Sequence, residues 1–420
     1  MSGAAERRVV RQVGIAQAGL GFTVNSLGAC LVLLSADLGT PPEELAWLSS
    51  SFGLGLLVVG AVGRWALGSG PQRVLLVSAL AAAVGTTLLA TGPSAAPAAA
   101  GALLLGLGAA GFVLVTPALL SGPGAAASLS RANAAASVSA LFGPPAIGAV
   151  TVAGYSGRLA LLVAVPALLF LAADARPFRS GSEGRAADAD SSAATPPATD
   201  VLPHAQDAGP SAAVLRAVAP PISRADTDPS ASVPQASEGA PPARRAVGAW
   251  ATIVVAVSIE FCFTIWATVR LQGTGLSAGS AATAATAFLI GMAAGRLIAP
   301  RLIERGTPVV PAGCLLAAAG TVAVALTDAP VPVIAGLALA GLGVAPFYPV
   351  TLARFVRLPG LGSTRTAAYG ALASGTAVLA APAALAALGA ALDLRVAYLV
   401  AVLPLTLVLA AVTLPSRTRP

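Results

Sequence analysis

The sequence predicts an all-α membrane protein with twelve transmembrane helices in two parallel six-helix repeats, and three observations support this fold class. Of 420 residues, 56% are hydrophobic and only 10% are charged, whereas an ordinary soluble domain carries about 25% charged residues. Twelve apolar runs approach or exceed the roughly 20 residues that a transmembrane helix needs. Finally, the two halves of the chain share residues at a nearly constant offset.

The composition excludes several classes of protein. Too few polar residues are present to cover the surface of soluble domains, which excludes a soluble enzyme. The net charge of +7 arises from 24 arginines and no lysine against 17 acids. These arginines are scattered as ones and twos between apolar runs, which is typical of membrane-protein loops and not of a nucleic-acid groove.

Cysteine and histidine usage excludes further kinds of site. The three cysteines all fall in apolar runs, so no disulfide framework is expected. The single histidine, His204, lies in a proline-rich stretch and cannot anchor a metal site alone. A phosphate-binding Gly-x-x-x-x-Gly-Lys loop is impossible without lysine, and no Ser/His/Asp set is present. We therefore expect no metal, no cofactor, no nucleic-acid partner and no enzymatic activity.

The spans follow from apolar runs bounded by charged residues, proline or glycine, and glycine and proline are tolerated within membrane helices. In the first half they are predicted near 9–36, 44–67, 73–91, 97–120, 130–153 and 157–174. In the second half they are predicted near 246–270, 277–299, 308–327, 330–354, 364–390 and 394–414.

Between the two halves, residues 175–245 have a different composition. This stretch holds 11 prolines, 15 charged residues and one aromatic residue, Phe178. It cannot bury enough apolar surface to offset the loss of chain entropy, so a disordered linker is expected. The predicted domains are therefore 1–174, the linker 175–245, and 246–420. The linker is either a tolerated connection or a regulatory docking segment.

Arginine placement predicts the orientation in the membrane. Outside the linker, 14 arginines fall on the side of the N-terminus and three, Arg158, Arg270 and Arg395, on the other side. Positive charge is enriched in cytoplasmic loops, so both termini are expected in the cytoplasm. The absence of lysine suggests the codon bias of a high-GC bacterium, which would place the chain in the inner membrane.

Identities between the halves predict an internal repeat. A glycine-rich stretch containing Gly106, Phe112 and Thr116 recurs 235 residues later. Around Arg158 a second stretch recurs at Arg395, with an offset of 237. Two shorter matches are Gly63-Arg64 with Gly295-Arg296 and Pro145 with Pro382. Two parallel six-span repeats joined by a long cytoplasmic loop explain this pattern.

Two loops carry related glycine and arginine patterns. After span 2 the pattern comprises Gly60, Arg64, Gly68, Gly70 and Arg73; after span 8 it comprises Gly291, Gly295, Arg296, Pro300, Arg301, Glu304, Arg305 and Gly306. With six plus six spans and a long central loop, the chain resembles the major facilitator superfamily of secondary transporters over essentially its whole length. The aspartate of that family's signature is absent after span 2.

The resemblance implies a monomer that moves a small-molecule substrate through the lipid bilayer by alternating access. It also implies that charged residues of the two loops hold the cytoplasmic side closed in one state. The implied gating residues are Arg64, Arg73, Arg296, Arg301, Glu304 and Arg305. The alternative is that they are positive-inside anchors whose side chains reach lipid headgroups.

Two further stretches resemble particular branches of the superfamily. Residues 143–148, Gly-Pro-Pro-Ala-Ile-Gly, are similar to an element of exporters, and small residues with proline allow close, bent helix packing. Residues 260–266, Glu-Phe-Cys-Phe-Thr-Ile-Trp, are similar to span 7 of sugar-permease-like members, including fucose permeases. Import and export therefore both stay open.

Glu260 is the leading candidate for chemistry because it is the only ionisable group predicted deep inside a span. It lies about 14 residues into span 7, roughly 21 Å from the cytoplasmic end. A charge at that depth costs on the order of 3 kcal/mol, so such residues normally face a cavity. Glu260 is predicted to carry a coupling proton; the alternative is a structural hydrogen bond to a neighbouring helix.

Span 1 is predicted to supply the opposite wall of a substrate cavity. Gln17, Gly21, Asn25 and Gly28 share one helix face, and Asn25 aligns with Glu260 at the 235-residue offset. The predicted cavity residues are Gln17, Asn25, Phe263, Trp266, Tyr348 and Tyr369. The alternatives are hydrogen bonding between helices for the amides and an interfacial position for Trp266.

Taken together, the residues and the resemblance predict a secondary active transporter of a small organic solute, driven by protons through Glu260. The rival hypothesis is a non-transporting membrane sensor or scaffold with a transporter fold. A scaffold needs no accessible cavity between its halves.

Overall fold

A computed structural model describes residues 3–120, 125–176, 243–358 and 363–414. Within these ranges the chain is helical and contains no β-strand. Eleven helical segments in the described ranges are long and apolar enough to cross a membrane. The pair Glu6–Asn25 and Leu27–Leu38, bent by 45°, supplies a twelfth when it is counted as one span. The predicted all-α membrane fold is confirmed.

The described residues of the first half form six spans, three of which are broken. They are span 1, Gly3–Asn25 and Leu27–Leu38; span 2, Trp47–Gly68; span 3, Pro71–Thr91; span 4, Ala95–Leu119; span 5, Ala125–Ala140 and Gly143–Val152; and span 6, a 3-10 segment Gly157–Val163 followed by Ala164–Asp174.

In the described part of the second half there are six spans, of which only span 10 is broken. They are span 7, Ala243–Gln272; span 8, Ala278–Glu304; span 9, Val309–Leu326; span 10, Pro330–Val344 and Phe347–Val356; span 11, Ser363–Leu392; and span 12, Leu394–Thr413. Most of the predicted linker, residues 177–242, lies outside the described residues.

Side chains near the break explain the bend in span 1. Thr23, Asn25 and Ser26 each hydrogen-bond the backbone carbonyl four residues earlier, at 2.7–2.8 Å. Such bonds compete with the helix ladder and bend helices. In span 5, Pro144 and Pro145 follow the break and lie in the first turn of the second segment, where a missing backbone N–H costs no helical hydrogen bond.

Successive spans alternate in direction, so spans 1 and 7 begin at the same face. We call this the terminal face; it carries Arg11 and Asp174. The opposite, distal face carries Asp37, where span 1 ends, and Asp328, which follows span 9.

Close glycine crossings recur in both halves and confirm the repeat. A Cβ added at Gly106 would lie 2.1 Å from the carbonyl oxygen of Phe52, and one added at Gly341 would lie 2.0 Å from that of Phe288. Only glycine allows backbones to approach this closely. The same correspondence relates Gly85–Gly101 to Gly320–Gly336, and Gly108–Ser78 to Gly343–Gly313.

The halves touch each other most closely towards the distal face. A Cβ at Gly28 in span 1 would lie 2.5 Å from the Thr264 carbonyl oxygen in span 7, and one at Gly148 in span 5 would lie 2.6 Å from that of Gly279 in span 8. The earlier parts of spans 1 and 5, towards the terminal face, barely contact spans 7 and 8. These span pairs therefore close on the distal side and diverge on the terminal side.

Spans 2 and 11 form the third contact between the halves and run alongside each other. The Ser50 hydroxyl donates a hydrogen bond to the Leu379 carbonyl oxygen at 3.0 Å. Further along, Gly375 packs against Leu57 and Gly60 packs against Leu372. This contact forms one side wall of the space between the halves.

Candidate functional site

A cavity of about 250 Å³ lies between the two halves. Spans 1, 2, 4 and 5 line it from the first half, and spans 7, 8, 10 and 11 line it from the second. Most of the lining is apolar, including Phe52, Val113, Leu289 and Met292. The polar and charged lining residues are Asn25, Ser137, Glu260, Arg296, Tyr348 and Ser374.

The charged centre of the cavity is a pair from neighbouring spans. Arg296 Nη2 in span 8 lies 3.8 Å from Glu260 Oε1 in span 7. The Arg296 side chain is 42% exposed and that of Glu260 is 18% exposed, so both are reachable from the cavity. Arg296 Nη1 also donates a hydrogen bond to Ser137 Oγ of the first half, at 3.1 Å. One guanidinium therefore contacts both halves.

The position of Arg296 corrects the sequence analysis in two respects. Arg296 was counted in the pattern assigned to the loop after span 8, whereas it lies well within the helix, which continues beyond the predicted end at residue 299 through Pro300 to Glu304. Its counterpart in the first half is Gly60 and not Arg64. The matching crossings of Gly55 and Gly291 set the offset at 236, which places Arg296 one helical turn deeper than the predicted correspondence did.

The remaining polar groups of the cavity are neutral. Tyr348 in span 10 and Ser374 in span 11 present hydroxyl groups to the cavity lining. The Asn25 amide donates to the Gly21 carbonyl oxygen of its own helix at 2.8 Å. Asn25, Glu260 and Tyr348 thus lie at the cavity as the sequence predicts.

Two other predicted cavity residues lie in the helix packing instead. Gln17 is buried and donates through Nε2 to Thr116 Oγ1 of span 4 at 3.1 Å, which is the alternative of hydrogen bonding between helices. Phe263 is fully buried, with ring centroids 5.4 Å from Phe288 and 5.3 Å from Tyr398. The rotation of span 7 turns Phe263 away from the cavity while Glu260 faces it.

The last two predicted cavity residues also lie elsewhere. Trp266 is fully buried, and its indole N–H donates to the Pro382 carbonyl oxygen at 3.0 Å, so it is neither a cavity nor an interfacial residue. This bond satisfies a buried donor beside the proline of span 11. Tyr369 is 43% exposed and packs edge-on against Phe355.

The other predicted gating residues lie at the terminal face. Arg73 is exposed at the start of span 3, and Arg301, Glu304 and Arg305 are exposed around the end of span 8. The Arg64 side chain is outside the described residues. The gating role stays a prediction for all five.

A buried arginine caps the distal end of span 3 in the first half. Arg158 Nη1 donates to the carbonyl oxygens of Leu89 and Gly92, each at 3.1 Å. Arg158 Nη2 pairs with Asp37 at 2.7 Å. The arginine satisfies carbonyls that a helix end leaves without partners.

In the second half, a different arginine caps the distal end of span 9 in the same way. Arg270 Nε donates to the Val324 carbonyl oxygen at 2.9 Å, and its Nη2 bonds the Thr327 carbonyl oxygen and Asp328, the latter at 3.3 Å. Asp328 also binds Arg395. The hydrogen bond from Arg395 and the charges of both arginines lower the pKa of the Asp328 carboxyl below its ordinary value.

Sequence reasoning missed Ser137 and Ser374 as cavity residues. Both lie in helices rich in alanine, glycine and serine, where small polar residues are frequent and carry no clear periodic signal. No cluster of His, Cys, Asp and Glu suited to a metal ion occurs in the described ranges.

Comparison with known proteins identifies the fold. No family model matches the chain, and no curated protein matches its sequence. Several solved structures align with nearly all of it, two of them each at 11% identity. The nucleoside transporter NupG aligns with a TM-score of 0.66 and full coverage of both chains. A bacterial homologue of the human lysosomal transporter Spinster, in an inward-facing and unoccupied conformation, aligns with a TM-score of 0.60 and covers 98% of this chain and 95% of its own. A variant of NupG aligns with TM-score 0.66. The chain is thus a multi-pass membrane protein with the fold of the major facilitator superfamily.

Proposed function

We propose that this chain is a secondary active transporter that moves a small organic solute across the membrane by alternating access, coupled to protons through Glu260. The cavity between the halves is the observation that carries this proposal. A transporter of this fold needs a site that both halves line, so that rocking of the halves exposes it first to one side and then to the other.

The Glu260–Arg296 pair supports proton coupling. A carboxylate among apolar residues requires a counter-charge or a proton, because an isolated charge in such a site is costly. Arg296 supplies the counter-charge at 3.8 Å. When Arg296 moves towards a substrate, or moves as the halves rock, Glu260 loses its counter-charge. Protonation is then the remaining way to keep Glu260 neutral. The charge state of Glu260 then depends on the conformation of the cavity.

The cavity fits a small polar solute. Its volume of about 250 Å³ is below the range of about 300–1,000 Å³ usual for drug-sized ligands. Asn25, Ser137, Tyr348 and Ser374 offer hydrogen bonds around an otherwise apolar wall.

Thiol labelling distinguishes a transporter from a fixed scaffold of the same fold. With the three native cysteines replaced by alanine, we expect Ser137→Cys to react with a membrane-impermeant thiol reagent applied to either side of the membrane. Ser49→Cys, buried outside the cavity at 1% exposure, is the matched control and should react from neither side. Reaction of Ser137→Cys from one side only would contradict alternating access.

The terminal face is proposed to be cytoplasmic, which places both termini inside the cell and the protein in the inner membrane of a bacterium. The asymmetry of 14 arginines against three supports this orientation. Reporter fusions at Asp200 should give a cytoplasmic signal, and fusions at Glu43 and Asp328 a periplasmic one. A periplasmic signal at Asp200 would contradict the orientation.

A further inference from the structure

We propose that the solute is a small organic monoanion, carried together with one proton, and that protonation of Glu260 releases Arg296 to bind the anionic group of the solute. This proposal rests on the proposed transport function and names the substrate class of the same cavity.

The charge balance of the cavity favours an anion. Among the described lining residues, Glu260 and Arg296 are the only ones with a formal charge. With both charged, the site is neutral. A proton on a Glu260 carboxylate oxygen leaves a net charge of +1 in a largely apolar cavity, where an unpaired charge is costly. One monoanion restores neutrality.

The geometry of Arg296 suits a change of partner. The 3.8 Å separation from Glu260 is longer than the roughly 2.7–2.9 Å of a charge-assisted hydrogen bond, so the pair is loose. Ser137 holds one amino group at 3.1 Å. A guanidinium has five N–H donors, and the 42% exposure of this side chain leaves others accessible to a carboxylate in the cavity.

Apart from Arg296, no described group that faces Glu260 carries a positive charge that could bind the anion. Span 8 presents Arg296, span 10 presents the Tyr348 phenol, and spans 1 and 11 present the neutral Asn25 and Ser374. On span 12, the Tyr398 hydroxyl donates to the Cys262 carbonyl oxygen at 3.3 Å.

Among the lining residues that the structure describes, the first half contributes no charge to this wall. Gly60, the counterpart of Arg296, packs against Leu372, and Asn25 stands where the second half has Glu260. Arg270, the next arginine along span 7, is bound to Val324, Thr327 and Asp328 near the distal face. Arg296 is therefore the positive charge available to a solute.

Acid and amide pairs of equal shape test the proposal by calorimetry on the purified full-length protein. The probes are lactate and lactamide, benzoate and benzamide, and nicotinate and nicotinamide. At pH 5.5 we expect at least one acid to bind about tenfold or more tightly than its amide, as expected for a charge-assisted contact. Its affinity should fall as the pH rises to 7.5, by up to about tenfold per pH unit, with uptake of a proton.

Variants separate the two charges. Glu260→Gln mimics the protonated state, so it should bind the acid at pH 7.5 as tightly as the wild type does at pH 5.5, without proton uptake. Arg296→Gln should lose the preference for the acid, about tenfold or more, and Arg296→Lys should retain part of it. Arg131→Gln, at an exposed position of span 5 that does not line the cavity, is the control and should behave as the wild type.

Two results would overturn the proposal: acids that bind no better than their amides in all three pairs, and an unchanged pH dependence in Glu260→Gln. Neither result affects the labelling of Ser137→Cys from both sides. Failure of the anion proposal is thus distinguishable from failure of the transport proposal.

Discussion

The two halves of this protein share a scaffold and differ in the chemistry of the wall that each presents to the cavity. The glycine crossings at Gly106 and Gly341 match to within 0.1 Å in the approach of an added Cβ to the facing carbonyl. The charged cavity residues, Glu260 and Arg296, belong to the second half alone. Backbone packing is thus common to both halves, whereas side chains that carry charge are not.

The helix-end arginines show the same difference between scaffold and side chain. Arg158 and Arg270 bind carbonyl oxygens that correspond at the 235-residue offset, Leu89 with Val324 and Gly92 with Thr327. Yet the two arginines come from spans 6 and 7, which are not counterparts. A repeat can therefore conserve which carbonyls are satisfied while the donor changes.

The largest effect is expected from filling the glycine crossings. Gly106→Ala and Gly341→Ala each place a methyl group about 2 Å from a backbone carbonyl, which requires the helices to separate. We expect each to lower the free energy of unfolding by about 3 kcal/mol or more, measured by thermal unfolding in detergent. Gly14→Ala and Gly248→Ala, which meet no atom within 4 Å, are the controls. A loss of stability in only one of the two variants, Gly106→Ala or Gly341→Ala, would contradict the structural equivalence of the halves.

A smaller effect is expected from removing the helix-end arginines. Arg158→Gln and Arg270→Gln should each cost about 2–4 kcal/mol, because buried carbonyls lose their partner and an ion pair is broken. Arg395→Gln, whose side chain is 42% exposed, should cost clearly less, because exposed ion pairs contribute little to stability. Chemical denaturation of the three variants measures this order. Equal costs for Arg158→Gln and Arg395→Gln would favour the pairing of Arg158 with Arg395 from the sequence repeat over its structural equivalence with Arg270.

A pH-dependent effect is expected at Asp328. Its folded-state pKa is lowered by Arg395 and Arg270, so its contribution to stability is present above the ordinary aspartate pKa of about 3.9 and is lost as the pH falls through the lower folded value. Asp328→Asn should therefore be less stable than the wild type at pH 7 and approach it only at strongly acidic pH. Glu44→Gln, an exposed acid of the distal face, is the control. A difference that stays constant down to pH 2 would exclude this linkage.

Sequence alone gave the fold because hydropathy and a repeat offset do not depend on side-chain rotation. Prediction of the cavity residues required, in addition, knowledge of how each helix is rotated. Glu260, Asn25 and Tyr348 were predictable from depth and symmetry, but Phe263 and Trp266 share a span with Glu260 and face the packed core instead. Which face of an apolar helix meets a cavity depends on packing with its neighbours, and the sequence of that helix does not encode it alone.

Arg296 was predicted as a gating residue, and its position in the cavity was missed for a different reason. An arginine near the end of an apolar run is usually a positive-inside residue, and Pro300 suggested a helix end. The helix passes through Pro300, so the charge lies a turn deeper than its place in the sequence indicates. Matching crossings of Gly55 and Gly291 reveal this depth, and they are visible only in the structure.

The smallest effect is expected from shortening the connection between the halves. Deletion of about 40 residues from Pro196 to Pro234 should leave membrane insertion and transport largely intact, because the predicted linker lacks the apolar residues for a packed core and the remaining chain can still span the gap as a flexible coil. Solute flux and the yield of inserted protein measure this. Loss of insertion would show that the linker contributes to the fold of one half.

The central claim is that proton coupling resides in the second half, at Glu260, and its most direct test is flux in vesicles with an imposed pH gradient. The cargo is a solute that protects Ser137→Cys from thiol labelling. Glu260→Gln should abolish pH-driven accumulation while the protein stays folded, because the amide keeps the shape and hydrogen bonds of the side chain and removes only its titration. Asn25→Ala, at the equivalent position of the first half, should weaken affinity and leave the pH dependence intact. Glu44→Gln, at an exposed acid outside the cavity, should match the wild type. Undiminished gradient-driven accumulation in Glu260→Gln would contradict the account and leave Glu260 as a structural partner of Arg296.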